Sequence, residues 1–218
     1  MTAEAFNKLS LDLRELAKLI PLKWGAIQNN SFDNSIDMFS CHSFESLESA
    51  IRDLDRPIKQ YFRRRWFMWQ CAQCDEYLFG ENSNVISNPN HKDQSWDIEI
   101  DGCSRFDIKG TVVPYEMRSR IEDVIQDPSD MVKFYYDKQS RGVRYCIQNR
   151  LFVVHHSFIE QEREFYLRCA WGVKRDAYSD FCKTLNTVKY FKYQNCIAAV
   201  IFVLEREKGK GEYLISRK

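Results

Sequence analysis

Three carboxylates and a lysine are spaced in this sequence so that they could share one divalent cation and one phosphate. Asp97 opens WDIEI, Asp107 and Lys109 stand two apart in FDIKGT, and Glu76 lies near the end of IKQYFRRRWFMWQCAQCDEYLF. Carboxylate oxygens are the ligands that hard cations such as Mg²⁺ take. A cation so held lowers the pKa of a bound water and stabilises charge developing on a phosphoryl centre. A lysine beside it orients that water or offsets phosphate charge.

The elements carrying these groups follow from periodicity. Residues 96–111 alternate as a β-hairpin, and residues two apart on a strand share a face. Asp97, Glu99 and Asp101 therefore face one way, with Ile98 and Ile100 opposite. Asp107, Lys109 and Thr111 share a face on the return strand, with Phe106 and Ile108 opposite. Pairing apolar with apolar places Ile98 beside Ile108 and Ile100 beside Phe106, with Asp101-Gly102 supplying the turn around Cys103. In that register Asp97 stands beside Lys109, and Glu99 faces Asp107, which is mildly destabilising. Asp97 and Asp107 are then diagonal neighbours, roughly 7–8 Å apart. The bland alternative is a solvated hairpin face with Asp97–Lys109 as an ordinary ion pair. Glu99 receives no role.

Residues 58–79 form a helix with two apolar rows at i+3/i+4 spacing. Phe62, Trp66, Trp69 and Gln73 make one row, and Phe67, Cys71, Cys74 and Leu78 the other. Glu76 prolongs the first row, where a carboxylate is costly unless paired or bound to metal, unless it lies past the core edge in water. Asp75 points away from that row.

An acid near a helix end, an Asp opening a strand, then Asp-x-Lys on the next strand resembles the PD-(D/E)XK nuclease superfamily of restriction-endonuclease-like fold. The resemblance covers residues 58–113 well and 128–157 loosely. Trp96 stands where the pattern has proline, and Asp107 replaces the commoner glutamate. The resemblance implies a mixed central sheet flanked by helices and phosphodiester hydrolysis with Mg²⁺, or Mn²⁺ in its place. It implies metal ligands Glu76, Asp97, Asp107 and the backbone carbonyl of Ile108, with Lys109 completing the catalytic set. DNA is the expected substrate, and a homodimer is compatible. Arg63, Arg64 and Arg65 on the helix, and Lys138, Gln139 and Arg141 further on, are candidate contacts to nucleic acid; Gln139 stands where many members have a helical glutamine.

The rest of the chain bounds these readings. Its 218 residues, 44% apolar and 14% aromatic, suit one α/β domain, with residues 1–56 a helical extension and 57–218 the core. Lys and Arg number 32 against 31 Asp and Glu, so only a local basic patch could attract nucleic acid. Residues 1–20 lack the apolar stretch of a signal peptide, and the eight cysteines read as reduced thiols of a cytoplasmic protein. No apolar run reaches the length of a membrane span. Cys71-x-x-Cys74 lacks a recognisable second pair for zinc, Cys41 with His42 and Cys103 with His91 being the candidates, and reads first as core thiols. His155 and His156, adjacent in NRLFVVHHS, face opposite sides of a strand, one buried and one solvated. Residues 115–126 and 129–139 read as helices, 158–187 as one long helix broken near Gly172, and 196–204 and 211–216 as strands. Two readings of other classes stand beside the nuclease: a nuclease-like module that binds nucleic acid or protein without cleaving, and a zinc-stabilised protein organised by Cys71 and Cys74.

Overall fold

A computed structural model describes residues 1–20, 31–90, 93, 95–102, 104–138 and 149–218. The chain divides into two compact units, Met1–Cys74 and Asp75–Lys218. The boundary between the units falls inside a long helix. No described helix is long and apolar enough to cross a membrane.

The first unit is helical. Helix α1 (Ala3–Ala17) is capped by Thr2, and α2 (Phe44–Ala50) by a capping box in which Ser43 and Ser46 satisfy each other's backbone N–H groups. Helix α3 (Arg56–Gly80) starts as Pro57 permits. Its Phe62, Trp66 and Phe67 are buried, and the Trp66 indole N–H donates to the Cys41 carbonyl at 2.8 Å. Cys71 and Cys74 are buried in this helix as core thiols.

The second unit is α/β, a mixed sheet flanked by helices, as expected. Its strands are β1 (Val85–Ser87), β2 (Ile98–Ile100), β3 (Ser104–Val112), β4 (Arg150–Ser157), β5 (Phe191–Tyr193), β6 (Cys196–Glu207) and β7 (Lys210–Ile215). The order is β1-β2-β3-β4-β6-β5, with β7 also on β6. β1, β2 and β3 are antiparallel, whereas β3, β4 and β6 run parallel. The parallel trio explains the apolar runs LFVV and IAAVIFVL, because such strands are covered on both faces.

Between β3 and β4 come a 3₁₀ segment (Tyr115–Arg120), α4 (Ile121–Gln126) and α5 (Ser129–Lys138). They pack Met117, Val124, Met131 and Tyr135 against Phe152, Val154, Val200 and Phe202. The long helix expected over 158–187 is two helices, α6 (Arg163–Arg168) and α7 (Trp171–Lys183). The break falls at Cys169-Ala170, ahead of Gly172. α7 sets Tyr178 on Phe79 and Phe181 against Phe106.

The hairpin differs from the expected register by two residues. Ile98 pairs with Phe106, Glu99 with Arg105 and Ile100 with Ser104. A slip of two keeps every side chain on its face, so apolar patterning does not tell the two registers apart. Turn geometry decides, because Asp101 and Gly102 both take positive φ, 53° and 67°, and draw the turn tighter. Gly102→Ala should therefore lower stability by about 1 kcal/mol in urea unfolding; an unchanged midpoint would remove the turn from control of the register.

Candidate metal and phosphate site

All four groups singled out for chemistry lie in the second unit. Asp97 stands one residue ahead of the β2 ladder. Its N–H donates to the Phe106 carbonyl at 2.8 Å, and its Oδ2 accepts the N–H of Ile108 at 2.6 Å. The corrected register brings its carboxyl to that of Asp107, with which it shares a hydrogen bond, instead of leaving the two on a diagonal. Lys109 is ion-paired to Asp107, not to Asp97. Glu99, predicted to face Asp107, pairs with Arg105, whose guanidinium also covers the Trp96 ring at 4.7 Å. The acid without a role thus anchors an arginine at the near end of the hairpin.

Electrostatics ties Glu76 to the same place. Burial pushes its carboxyl up to about 7, and the negative fields of Asp97, Asp75 and Asp107 add to the rise while Lys109 opposes it. Asp97 is pushed up to about 6, first by burial, with Lys109 pulling it back, Asp107 raising it further and the Ile108 N–H lowering it. Crowded carboxyls out of water hold protons because their charged forms repel and are poorly hydrated. Among the described residues, no three His, Cys, Asp or Glu side chains stand close enough to enclose a metal ion as placed.

The parallel register of β3 and β4 adds a residue that sequence reasoning missed. Arg150, at the start of β4, pairs with Asp107 in the ladder and brings Nε to 3.5 Å from its Oδ2. Both side chains are buried, Asp107 at 3% and Arg150 at 4% exposure. The guanidinium lies over Tyr136 of α5 at 5.0 Å. Asp107 therefore stands between two cations, Lys109 and Arg150.

Asp75 was expected to point away from the Glu76 row. It does so, and turns into a second buried group, on Lys174 and Tyr178. Both histidines are buried, correcting the expectation of one in solvent. His155 Nδ1 meets the Thr111 carbonyl at 2.9 Å, and burial, with Arg168 and Lys174, holds its pKa well below the usual range. His156 lies 3.4 Å from Glu164 and edge-on to Phe158.

The expected basic contacts are mostly committed elsewhere. In the first unit Arg63 makes a two-pronged pair with Glu48, at 2.7 and 2.6 Å, and Arg65 pairs with Asp33. Arg64 is half-buried between them in sequence. Lys138 ends α5, with its ammonium 5.1 Å from the Phe134 ring. Gln139 and Arg141 lie outside the described residues, as do Cys103 and His91, two candidate partners for a zinc site.

No protein-family model matches the chain, and comparison with curated proteins and with solved structures finds no match.

Proposed function

We propose that this chain is a metal-dependent nuclease that hydrolyses phosphodiester bonds of nucleic acid, with DNA the expected substrate, on a restriction-endonuclease-like core. One observation carries the reading: Asp97 and Asp107 share a hydrogen bond beside Lys109, within the field of Glu76. Sequence order, helix acid, strand acid and strand Asp-x-Lys, is that of the PD-(D/E)XK pattern. The antiparallel hairpin feeding a parallel strand agrees with such a core but does not single it out.

The donor set suits a hard divalent cation. The three side-chain donors are carboxyls, and the burial and mutual repulsion that raise Glu76 to about 7 and Asp97 to about 6 are what a bound cation would relieve. Mg²⁺ would be held by Glu76, Asp97 and Asp107, with Mn²⁺ as its substitute, and the Ile108 carbonyl remains a proposed fourth donor. When bound, such an ion supplies Lewis acidity at the phosphate and a more acidic water.

The chain's own groups do the rest. The Ile108 N–H fixes the direction of the Asp97 carboxylate. Lys109 Nζ, already beside Asp107, turns to a non-bridging phosphate oxygen as substrate arrives. With an ion bound, Glu76 would give up its proton and serve as a carboxylate ligand. Arg150 holds Asp107 from the buried side and keeps positive charge near the phosphate.

The deciding experiment incubates the purified chain with labelled duplex DNA, single-stranded DNA and RNA in Mg²⁺, in Mn²⁺ and in EDTA. Cleavage of at least one substrate that requires the metal is expected. Binding without cleavage in either metal would sink the enzyme reading and favour the non-cleaving nucleic-acid module. Zinc at unit stoichiometry, with no cleavage, would favour the zinc-stabilised protein.

A further inference from the structure

We infer that the buried Asp75–Lys174 pair is a positioning device that sets Glu76 against the hairpin, an inference resting on the reading of Glu76, Asp97 and Asp107 as one site. Lys174 is fully buried and Asp75 is 2% exposed. The lysine Nζ lies 2.5 Å from Asp75 Oδ1 and donates to the Arg168 carbonyl at 3.0 Å. It also sits 4.9 Å from the centre of the Trp171 ring. One turn further along α7, the Tyr178 hydroxyl donates to the same Asp75 oxygen at 2.8 Å. The Tyr178 ring stacks on Phe79 with centroids 3.9 Å apart.

Glu76 is thus bracketed. Asp75 immediately before it and Phe79 one turn after it are both fixed by α7. Successive residues on a helix point about 100° apart, so holding Asp75 in one direction sets the direction of Glu76. The same group reaches the strand that bears Asp107 and Lys109. A Cβ built at Gly110 would stand 2.9 Å from Arg168 Nη1, 3.8 Å from the His155 ring and 3.9 Å from Asp75 Oδ2. The polar group therefore packs against β3 at Gly110, on the strand face opposite Lys109. It touches both elements that carry the site, the end of α3 and β3.

Stability alone does not account for it. A buried ion pair is often replaced by apolar side chains of similar volume at no cost, because desolvation offsets the attraction. What an ion pair adds over an apolar contact is direction, and the direction set here is that of the adjacent glutamate.

The test combines Asp75→Leu with Lys174→Met. The double variant should fold, with the midpoint lowered by the lost partners of Tyr178 and of the Arg168 carbonyl, bind Mn²⁺ about tenfold or more weakly by calorimetry, and show the Glu76 carboxyl displaced relative to Asp97 and Asp107 in its crystal structure. Wild-type Mn²⁺ affinity with Glu76 in place would overturn the inference. If the wild type itself takes up no Mn²⁺, the reading of the site fails. Positioning is then judged from the crystal structure alone, where an unmoved Glu76 overturns it and a displaced one supports it. Should the double variant not fold, Tyr178→Phe removes one hydrogen bond from Asp75 and should weaken Mn²⁺ binding severalfold; full affinity in that variant would overturn the inference.

Discussion

Replacing Asp107 with asparagine is expected to lower metal-dependent cleavage by about 10³-fold or more while leaving nucleic-acid binding intact or tighter. Asp107 is the acid on which the arrangement turns. It shares a hydrogen bond with Asp97, pairs with Lys109 on one side and approaches Arg150 on the other. Asparagine keeps the volume but loses the charge a cation needs. Binding should survive because removing a negative charge beside Lys109 and Arg150 makes the face more attractive to phosphate. Alanine is the poorer probe, since it leaves two buried or half-buried cations facing each other, a change that typically costs several kcal/mol of stability. The measurement is single-turnover cleavage of labelled substrate, with binding followed by anisotropy. Asp107→Asn cleaving at the wild-type rate would remove the hairpin from the chemistry.

The faces of the site were legible in the sequence and its pairings were not. Alternation fixed which side of the hairpin Asp97, Asp107 and Lys109 occupy, because a change of face would bury charge and expose isoleucine. It did not distinguish registers two residues apart, since Ile98 and Ile100 find apolar or neutral partners in both. The cue lay in Asp101-Gly102, whose left-handed residues favour the tighter turn. Asp75 was discounted for lying off the Glu76 row, yet it extends the other row from Phe67 and Cys71 and so enters the core. Lys174 also carried a signal, because it shares i+3/i+4 spacing with Trp171, Tyr178 and Phe181, where a lysine is out of place without a buried partner. Arg150 carried none. Its approach to Asp107 depends on the parallel register of β3 and β4, which two strands so far apart in sequence do not encode locally. The interruption of the long helix was legible at Gly172, and it falls at Cys169-Ala170, two residues earlier.

Glu76→Gln is expected to stabilise the metal-free protein at pH 8 and leave its stability at pH 4 nearly unchanged. The Glu76 carboxyl is raised from 4.5 to about 7 by burial and by neighbouring carboxylates. Below 4.5 it is protonated in folded and unfolded chains alike, and its favourable contribution is fully present. As pH rises through about 7, the unfolded chain has already given up the proton and the folded chain must follow at a cost, so that contribution is lost. At about 1.36 kcal/mol per pH unit the upper figure is roughly 3 kcal/mol, and the half-buried position lowers the expected gain to about 1–2 kcal/mol. Mg²⁺ should reverse the order at pH 8. At a concentration of about a hundred times its Kd, an ion bound only by the folded state adds about 2.7 kcal/mol to the wild type, and the glutamine variant should gain less. Urea titrations at pH 4 and pH 8, with and without Mg²⁺, separate these contributions. If the variant is no more stable than the wild type at pH 8 without metal, Glu76 ionises there without penalty. The site would then lack the crowded negative charge that gives a divalent cation its reason to bind.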